Sequence, residues 1–203
     1  MMKAVLWDFG GVIVSSPFDA FNRYEAEHGL PLHFLRTVNS TNPHTNAWAL
    51  LERNEISMAQ FDDLFAAESA ALGHRVPGVD VLSLLGGDVR PEIIAAVDRA
   101  KSSGYRVACL TNNVVSEGGR GEAIDAVMQR FDVIVESSVI GVRKPEPRFY
   151  EIACEMLMVE PVDCVFLDDL GVNLKPAAAM GMTTIKVATA AQAIADLGAV
   201  LGW

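Results

Sequence analysis

The strongest regularity in the chain is a set of short, almost wholly apolar runs, each ending at a polar residue or a turn. Lys3 to Trp7 (KAVLW) is the first and stops at Asp8, followed by Gly10–Gly11. Arg106 to Leu110 (RVACL) stops at Thr111–Asn112, and Asp132 to Val135 (DVIV) is the third. Cys164 to Leu167 (CVFL) stops at Asp168–Asp169, and Thr183 to Val187 (TTIKV) is the fifth. Runs of this length without polar alternation predict strands buried on both faces. Helical patterns separate the later runs. Pro91 to Ser103 and Pro147 to Met158 both open on proline, whose fixed φ suits a first helical turn; the former stops at Gly104, and Asn173 to Met180 stops at Gly181. Strand alternating with helix predicts a doubly wound, Rossmann-like parallel α/β sheet of five or more strands.

Ser15 to Val89 breaks the alternation. It carries helical spacing throughout and no clear strand, so it reads as a helical insertion behind the first strand. The expected division is 1–14 with 90–203 as core and 15–89 as insertion. Within the insertion, Ser57 and Gln60 form a capping box for a helix from Met58 to Leu72. Asn54 occupies the place of a left-handed helix stop. Ser116 to Gly121 (SEGGRG) reads as a flexible loop, and Ala190 to Leu201 as a surface helix.

Composition narrows the functional classes. Of 203 residues, 51% are hydrophobic, enough for a sizeable core. The formal net charge of −10 disfavours a nucleic-acid surface, which needs clustered Lys and Arg; the pair Arg143–Lys144 is too small for one. An anionic small substrate remains compatible, because a local field can oppose the global one. Cys109, Cys154 and Cys164 sit in apolar runs without a CxxC, as buried reduced thiols do, which fits a reducing cytoplasm. The N-terminal apolar stretch is cut by Asp8, so no secretory signal is expected, and no apolar run reaches the ~20 residues of a membrane span. A monomer or homodimer is expected.

In such sheets ligands bind at the carboxyl ends of the strands, where Asp8, Thr111 and Asp168–Asp169 fall. A carboxylate at that position can attack phosphorus and carry an aspartyl-phosphate. Its charge repels a phosphate dianion, so a shared magnesium ion and a nearby Lys144 ammonium would be needed to quench that repulsion. Thr111 and main-chain N–H groups can donate to the phosphoryl oxygens. Each residue alone has an ordinary explanation: Asp8 and Thr111 as turn or helix caps, Lys144 as a loop cation, Asp168–Asp169 as a solvated turn, and Gly10–Gly11 as a tight turn. Their joint order favours the chemical reading. Of the adjacent aspartates, one is expected to ligate metal and the other to support it.

The segments VLWDFGGVI (Val5 to Ile13), ACLTNN (Ala108 to Asn113), GVRKPEPRFY (Gly141 to Tyr150) and FLDDLGVNLKPAAAMGM (Phe166 to Met182) resemble the haloacid dehalogenase superfamily. Within it they are most similar to the subgroup containing the phosphatase domain at the N-terminus of soluble epoxide hydrolase. The resemblance spans almost the whole chain and implies that the insertion is a helical cap. It implies Asp8 as nucleophile and metal ligand, the Gly10 carbonyl as a second ligand and Asp169 as a third, with Asp168 nearby or water-bridged. It implies that Thr111, Asn112, Lys144 and the Gly10–Gly11 turn bind the phosphoryl group, that Lys144 balances charge, and that Asn173 orients the last loop. A Mg2+ cofactor and a small phosphorylated substrate follow.

One position departs from the family. The usual phosphatase motif has a second Asp two residues after the nucleophile, where this chain has Gly10. That Asp protonates the leaving oxygen and activates water, help worth ~10²–10⁴-fold. Its loss leaves two alternatives beside a phosphatase: a slow or non-catalytic phosphate-binding protein, and a metal-independent 2-haloacid dehalogenase. His28, His33, His44 and His74 all lie in the insertion without ligand spacing, His44 being the best substitute proton donor among them. Trp48, Phe61 and Phe65 read as core.

Overall fold

The computed structural model describes residues 2–115 and 118–203. The five apolar runs form one parallel sheet: β1 (Ala4–Asp8), β2 (Arg106–Thr111), β3 (Val133–Glu136), β4 (Cys164–Asp168) and β5 (Thr183–Lys186), in the order β3-β2-β1-β4-β5. The chain therefore leaves central β1 in one direction, then returns to build outward on the other side. The crevice at that reversal is where doubly wound sheets take ligands.

Side-chain alternation explains why the strands show no polar face. Val5, Trp7, Val107, Cys109, Val165 and Leu167 point into one core layer, while Ala4, Leu6, Ala108, Leu110 and Phe166 point into the other. The first layer is closed by α6 (Pro91–Ser102), α7 (Glu122–Met128) and α11 (Ala190–Leu201). The second is closed by α9 (Pro147–Leu157) and α10 (Gly171–Ala179).

Several boundaries differ from the sequence reading for local reasons. Asp132 is not the first strand residue of β3, because its carboxylate accepts from the Val107 N–H at 2.9 Å and caps the sheet instead. The α10 helix starts at Gly171 rather than Asn173, after Asp168 Oδ1 accepts from the Leu170 N–H at 2.7 Å and turns the chain. The α9 helix stops at Leu157, with Met158 in the left-handed region at φ 54°. Four-residue α8 (Ser137–Ile140) had no readable pattern. Ser116 and Glu117 of the expected flexible loop lie outside the described residues.

Between β1 and α6 run five helices: α1 (Phe18–Glu27), α2 (Phe34–Ser40), α3 (Ala47–Glu52), α4 (Met58–Ala71) and α5 (Gly78–Ser83). They share a cluster built on Phe21, Leu35, Trp48, Phe61, Phe65 and Val81, to which Val114 of the β2–α7 loop adds an edge. Both bonds of the Ser57–Gln60 capping box are made, and Asn54 has φ 60°. The segment entering this block and the one leaving it run side by side. Val14 bridges Val89, Ser15 N–H donates to Asp88 O at 2.8 Å, and Arg90 N–H donates to Ile13 O at 2.9 Å. All three cysteines are free and buried. Among the described residues, no helix is long and apolar enough to cross a membrane.

Candidate active site

Strand register puts the polar strand ends on one level. Asp8 pairs with Leu110, so Thr111 lies one step beyond, and Trp7 pairs with Leu167, so Asp168 lies beside Asp8. Lys144 comes from the loop before α9 and reaches into this group. It is 2% exposed, and its Nζ donates to Asp8 Oδ1 at 2.5 Å, Asp168 Oδ2 at 3.0 Å and Leu110 O at 3.1 Å. Those three acceptors satisfy all three ammonium protons. Burial works against the lysine's charge, but Asp168 and Asp8 outweigh it and hold the ammonium above its ordinary pKa.

Asn112 fixes the position of that lysine. Its Oδ1 accepts from the Lys144 N–H at 2.8 Å, and its Nδ2 donates to the Lys144 carbonyl at 3.0 Å. Both ends of the amide are thus engaged with the Lys144 backbone, and the peptide bond to Pro145 is cis. The Thr111 side chain is buried next to Asp8's strand, its hydroxyl donating to the Asn112 carbonyl at 3.3 Å. Asn113, which sequence reasoning passed over, ties the β2 and β3 ends together: Nδ2 donates to Glu136 at 2.9 Å and Oδ1 accepts from the Ser138 hydroxyl at 3.1 Å.

The paired aspartates have different tasks. Asp168 is fully buried, and its carboxylate accepts from Lys144, from Asn173 Nδ2 at 3.0 and 3.1 Å, and from the Leu170 N–H. Asn173 is held in turn by Tyr150, whose hydroxyl donates to the Asn173 carbonyl at 2.7 Å. Asp169 instead lies over the glycine turn. Burial first, and the Asp168 charge second, push its pKa up to about 6, while Lys144 and Arg90 pull the other way. Burial also raises Asp8 well above the usual carboxylate range, with Asp168 adding to it and Lys144 opposing.

The two turn glycines are not equivalent. Gly11 has φ +82°, and a Cβ there would lie 2.2 Å from Asp169 Oδ2, so only glycine fits. Its carbonyl accepts from Arg90 at 2.7 Å. Gly10 lies outside the left-handed region, and a Cβ there would meet nothing within 4 Å. The tight-turn explanation holds for Gly11 and fails for Gly10, whose bare backbone the fold does not require.

Asp8, Asp168 and Asp169 each offer an oxygen within 4.8 Å of the others. When ionised, three carboxylates against one ammonium leave an excess of two negative charges in a buried space, the repulsion that adds to burial in raising Asp8 and Asp169. A hard divalent cation with oxygen ligands suits that donor set in both charge and atom type.

From the helical side, Glu52 at the end of α3 reaches the same loop. Its Oε2 accepts from Arg143 Nε at 2.5 Å, and Arg143 also donates to the Pro43 carbonyl at 3.0 Å. Next to it, Arg53 approaches Glu146 at 3.6 Å. No local sequence signal marks this contact, because its partners lie 91 residues apart. Of the four histidines, His44 is exposed and engages Arg53 through its backbone carbonyl. His28 stacks on Tyr24, and His74 meets Phe34 edge-on.

The model of one protein family, haloacid dehalogenase-like hydrolase, matches residues 2–181. The chain belongs to the haloacid dehalogenase-like hydrolases. This hydrolase is 31% identical to mouse Bifunctional epoxide hydrolase 2 over 99% of its own length, but spans only 39% of that protein. It is 31% identical to Phosphatase MT3486 of Mycobacterium tuberculosis (strain CDC 1551 / Oshkosh), covering 98% of this chain and 97% of that one. Its fold superposes with a TM-score of 0.61 on a haloacid dehalogenase family enzyme from Bacteroides thetaiotaomicron, at 18% identity, covering 92% of this chain and 94% of the other. That crystal structure contains magnesium and inorganic phosphate.

Proposed function

We propose that this hydrolase is a magnesium-dependent phosphatase that acts on a small phosphorylated metabolite through an aspartyl-phosphate on Asp8. The observation that carries the reading is Lys144 Nζ, buried and bonded to both Asp8 and Asp168. A buried ammonium at a strand-end aspartate serves an attack on an anion, since it lowers the repulsion between carboxylate and phosphate. The likeness to Phosphatase MT3486 and to the magnesium- and phosphate-containing Bacteroides enzyme supports the same class.

In this reading Asp8 attacks phosphorus, and Lys144 stays protonated to balance the attacking carboxylate and the phosphoryl oxygens. Asn112 holds Lys144 at that place, while the Thr111 hydroxyl and the main-chain N–H groups of the Gly10–Gly11 turn donate to the phosphoryl group. Asp8, Asp169 and the Gly10 carbonyl would hold magnesium, with Asp168 in support through Lys144 and Asn173. When bound, the ion supplies positive charge that neutralises the phosphate and orients it. Residues 15–89 act as a cap over a core of 1–14 and 90–203, and the buried thiols are in keeping with a cytoplasmic setting.

Hydrolysis of p-nitrophenyl phosphate with magnesium, and its loss after chelation, tests the reading. Asp8→Asn should abolish turnover while leaving the melting temperature of the protein within a few degrees. Metal-free release of chloride from a 2-haloacid would replace it with a dehalogenase. Binding of phosphate without any turnover would replace it with a binding protein.

A further inference from the structure

A phosphate ester leaves as an alkoxide unless a proton meets it, and position 10, where the family places the donor, has no side chain. Room for one exists: nothing lies within 4 Å of a Cβ built on Gly10. The proton source must then come from another segment, and the helical block reaches the Lys144 loop through Glu52 and Pro43.

Asp19, Glu27, Glu55, Asp63 and Asp88 of that block are exposed, and its remaining carboxylates divide cleanly. Glu25 accepts from the His33 and Leu35 N–H groups, and Glu68 from the Ala47 N–H. Asp62 accepts from the Val79 N–H, and Asp80 from the Tyr24 hydroxyl. Each of these bonds a group of the block itself, and Glu68 keeps a second, buried oxygen without a partner, away from the Lys144 loop in its bonding to Ala47. Glu52 is different: its side chain is 15% exposed, it crosses to the loop that carries Lys144, and it bonds Arg143, the neighbour of that lysine, through Oε2. No described residue bonds its Oε1.

We propose that Glu52 does the proton-transfer work that the side chain missing at Gly10 would have done; this rests on the phosphatase reading above. As Asp8 Oδ bonds to phosphorus, the bond from phosphorus to the ester oxygen breaks, and the Glu52 carboxyl proton passes to that oxygen, releasing the alcohol. Water then attacks the aspartyl-phosphate and gives one proton to the Glu52 carboxylate. The phosphorus–Asp8 bond breaks, phosphate leaves, and both carboxyl groups return to their starting states.

The electrostatics agree with this geometry. Burial raises the Glu52 carboxyl above its ordinary value even though Arg143, Lys144 and Arg53 pull it down. Arg143 and Lys144 approach it from the loop before α9, and Arg53 flanks it on its own side.

The test is a leaving-group series, from alkyl phosphates to p-nitrophenyl phosphate, run with magnesium on the wild type, Glu52→Gln and Arg143→Gln. For Glu52→Gln we expect kcat on alkyl esters to fall by ~10²–10⁴-fold, as loss of general acid–base help does. With p-nitrophenyl phosphate the first step should be nearly unchanged and the second slowed, giving a burst of p-nitrophenolate. Arg143→Gln breaks the same ion pair but keeps the carboxyl, and should keep the wild-type dependence on leaving group. Gly10→Asp added to Glu52→Gln should restore alkyl turnover, a rescue that a misfolded variant cannot show. Equal losses in the first, phosphorylation step on all esters, no loss, or the same pattern in Arg143→Gln would overturn the assignment of Glu52. A wild type inactive on every ester, or an active Asp8→Asn, would instead remove the phosphatase reading beneath it.

Discussion

At the scale of single residues, Gly10 and Gly11 look alike in sequence and part company in space. Gly11→Ala must strain a left-handed backbone and push a methyl group into the Asp169 carboxylate. If the site takes magnesium as proposed, Gly11→Ala should weaken that binding strongly and Gly10→Ala should leave it at the wild-type level; isothermal titration of both compares them directly. Lys144→Met would leave Asp8 and Asp168 buried without their cation, a change that costs about 3–5 kcal/mol for a buried pair and should appear in urea unfolding. Asp169 gives a pH signature. Its folded-state pKa of about 6 stands above its unfolded value, so the folded form binds more protons between the two. Metal-free protein should therefore lose stability as pH rises from about 4 to about 6, and Asp169→Asn should flatten that fall. Thermal melts across that range, in chelator, measure it. Asp8, Thr111 and the aspartate pair were legible because each ends or follows a strand, which is a local sign; Lys144, in the loop between α8 and α9, was readable only from the joint order of the segments. Glu52 and Asn113 were not, since their meaning depends on partners supplied by distant segments.

Among the elements, legibility followed how much of the signal was local. Strand cores and the capping box at Ser57 are short-range facts, and α4 starts where that box puts it. Ser57→Ala should cost ~1 kcal/mol, as loss of such caps does. Strand and helix ends shifted wherever a side chain from elsewhere captured a backbone group, as Asp132 does for Val107 and Asp168 for Leu170. Trp48, Phe61 and Phe65 were read as core, and they pack with ring centroids 4.8 to 6.5 Å apart. Phe61→Ala should destabilise the protein by about 3–5 kcal/mol. Hydrogen exchange should rise first in α3 and α4 and later in β1, because the Phe61 cluster and the layers around β1 are separate.

Over the whole molecule, the doubly wound parallel sheet follows from alternation of strand and helix, which is why the fold class was legible before any contact was known, whereas the order β3-β2-β1-β4-β5 came from the structure. The layout of α1 to α5 was not, since helical spacing gives each helix a face without naming its partner. Global charge also acts at this scale. A formal charge of −10 repels a phosphate dianion at long range, and salt screens that repulsion. Raising ionic strength from ~20 to ~200 mM, where screening lengths shorten to within ~10 Å, should raise kcat/KM for a dianionic ester rather than lower it.

The side-by-side passage of Ser15 with Asp88 and of Ile13 with Arg90 has a consequence for engineering. Chain ends that already touch can be joined by a tight turn at little entropic cost, so the five-helix block is expected to behave as a graftable cassette. Excising 16–87 and sealing the gap should leave the parallel sheet standing, and a foreign bundle spliced at the same junction should retune which esters reach Asp8 without disturbing the strands that carry it.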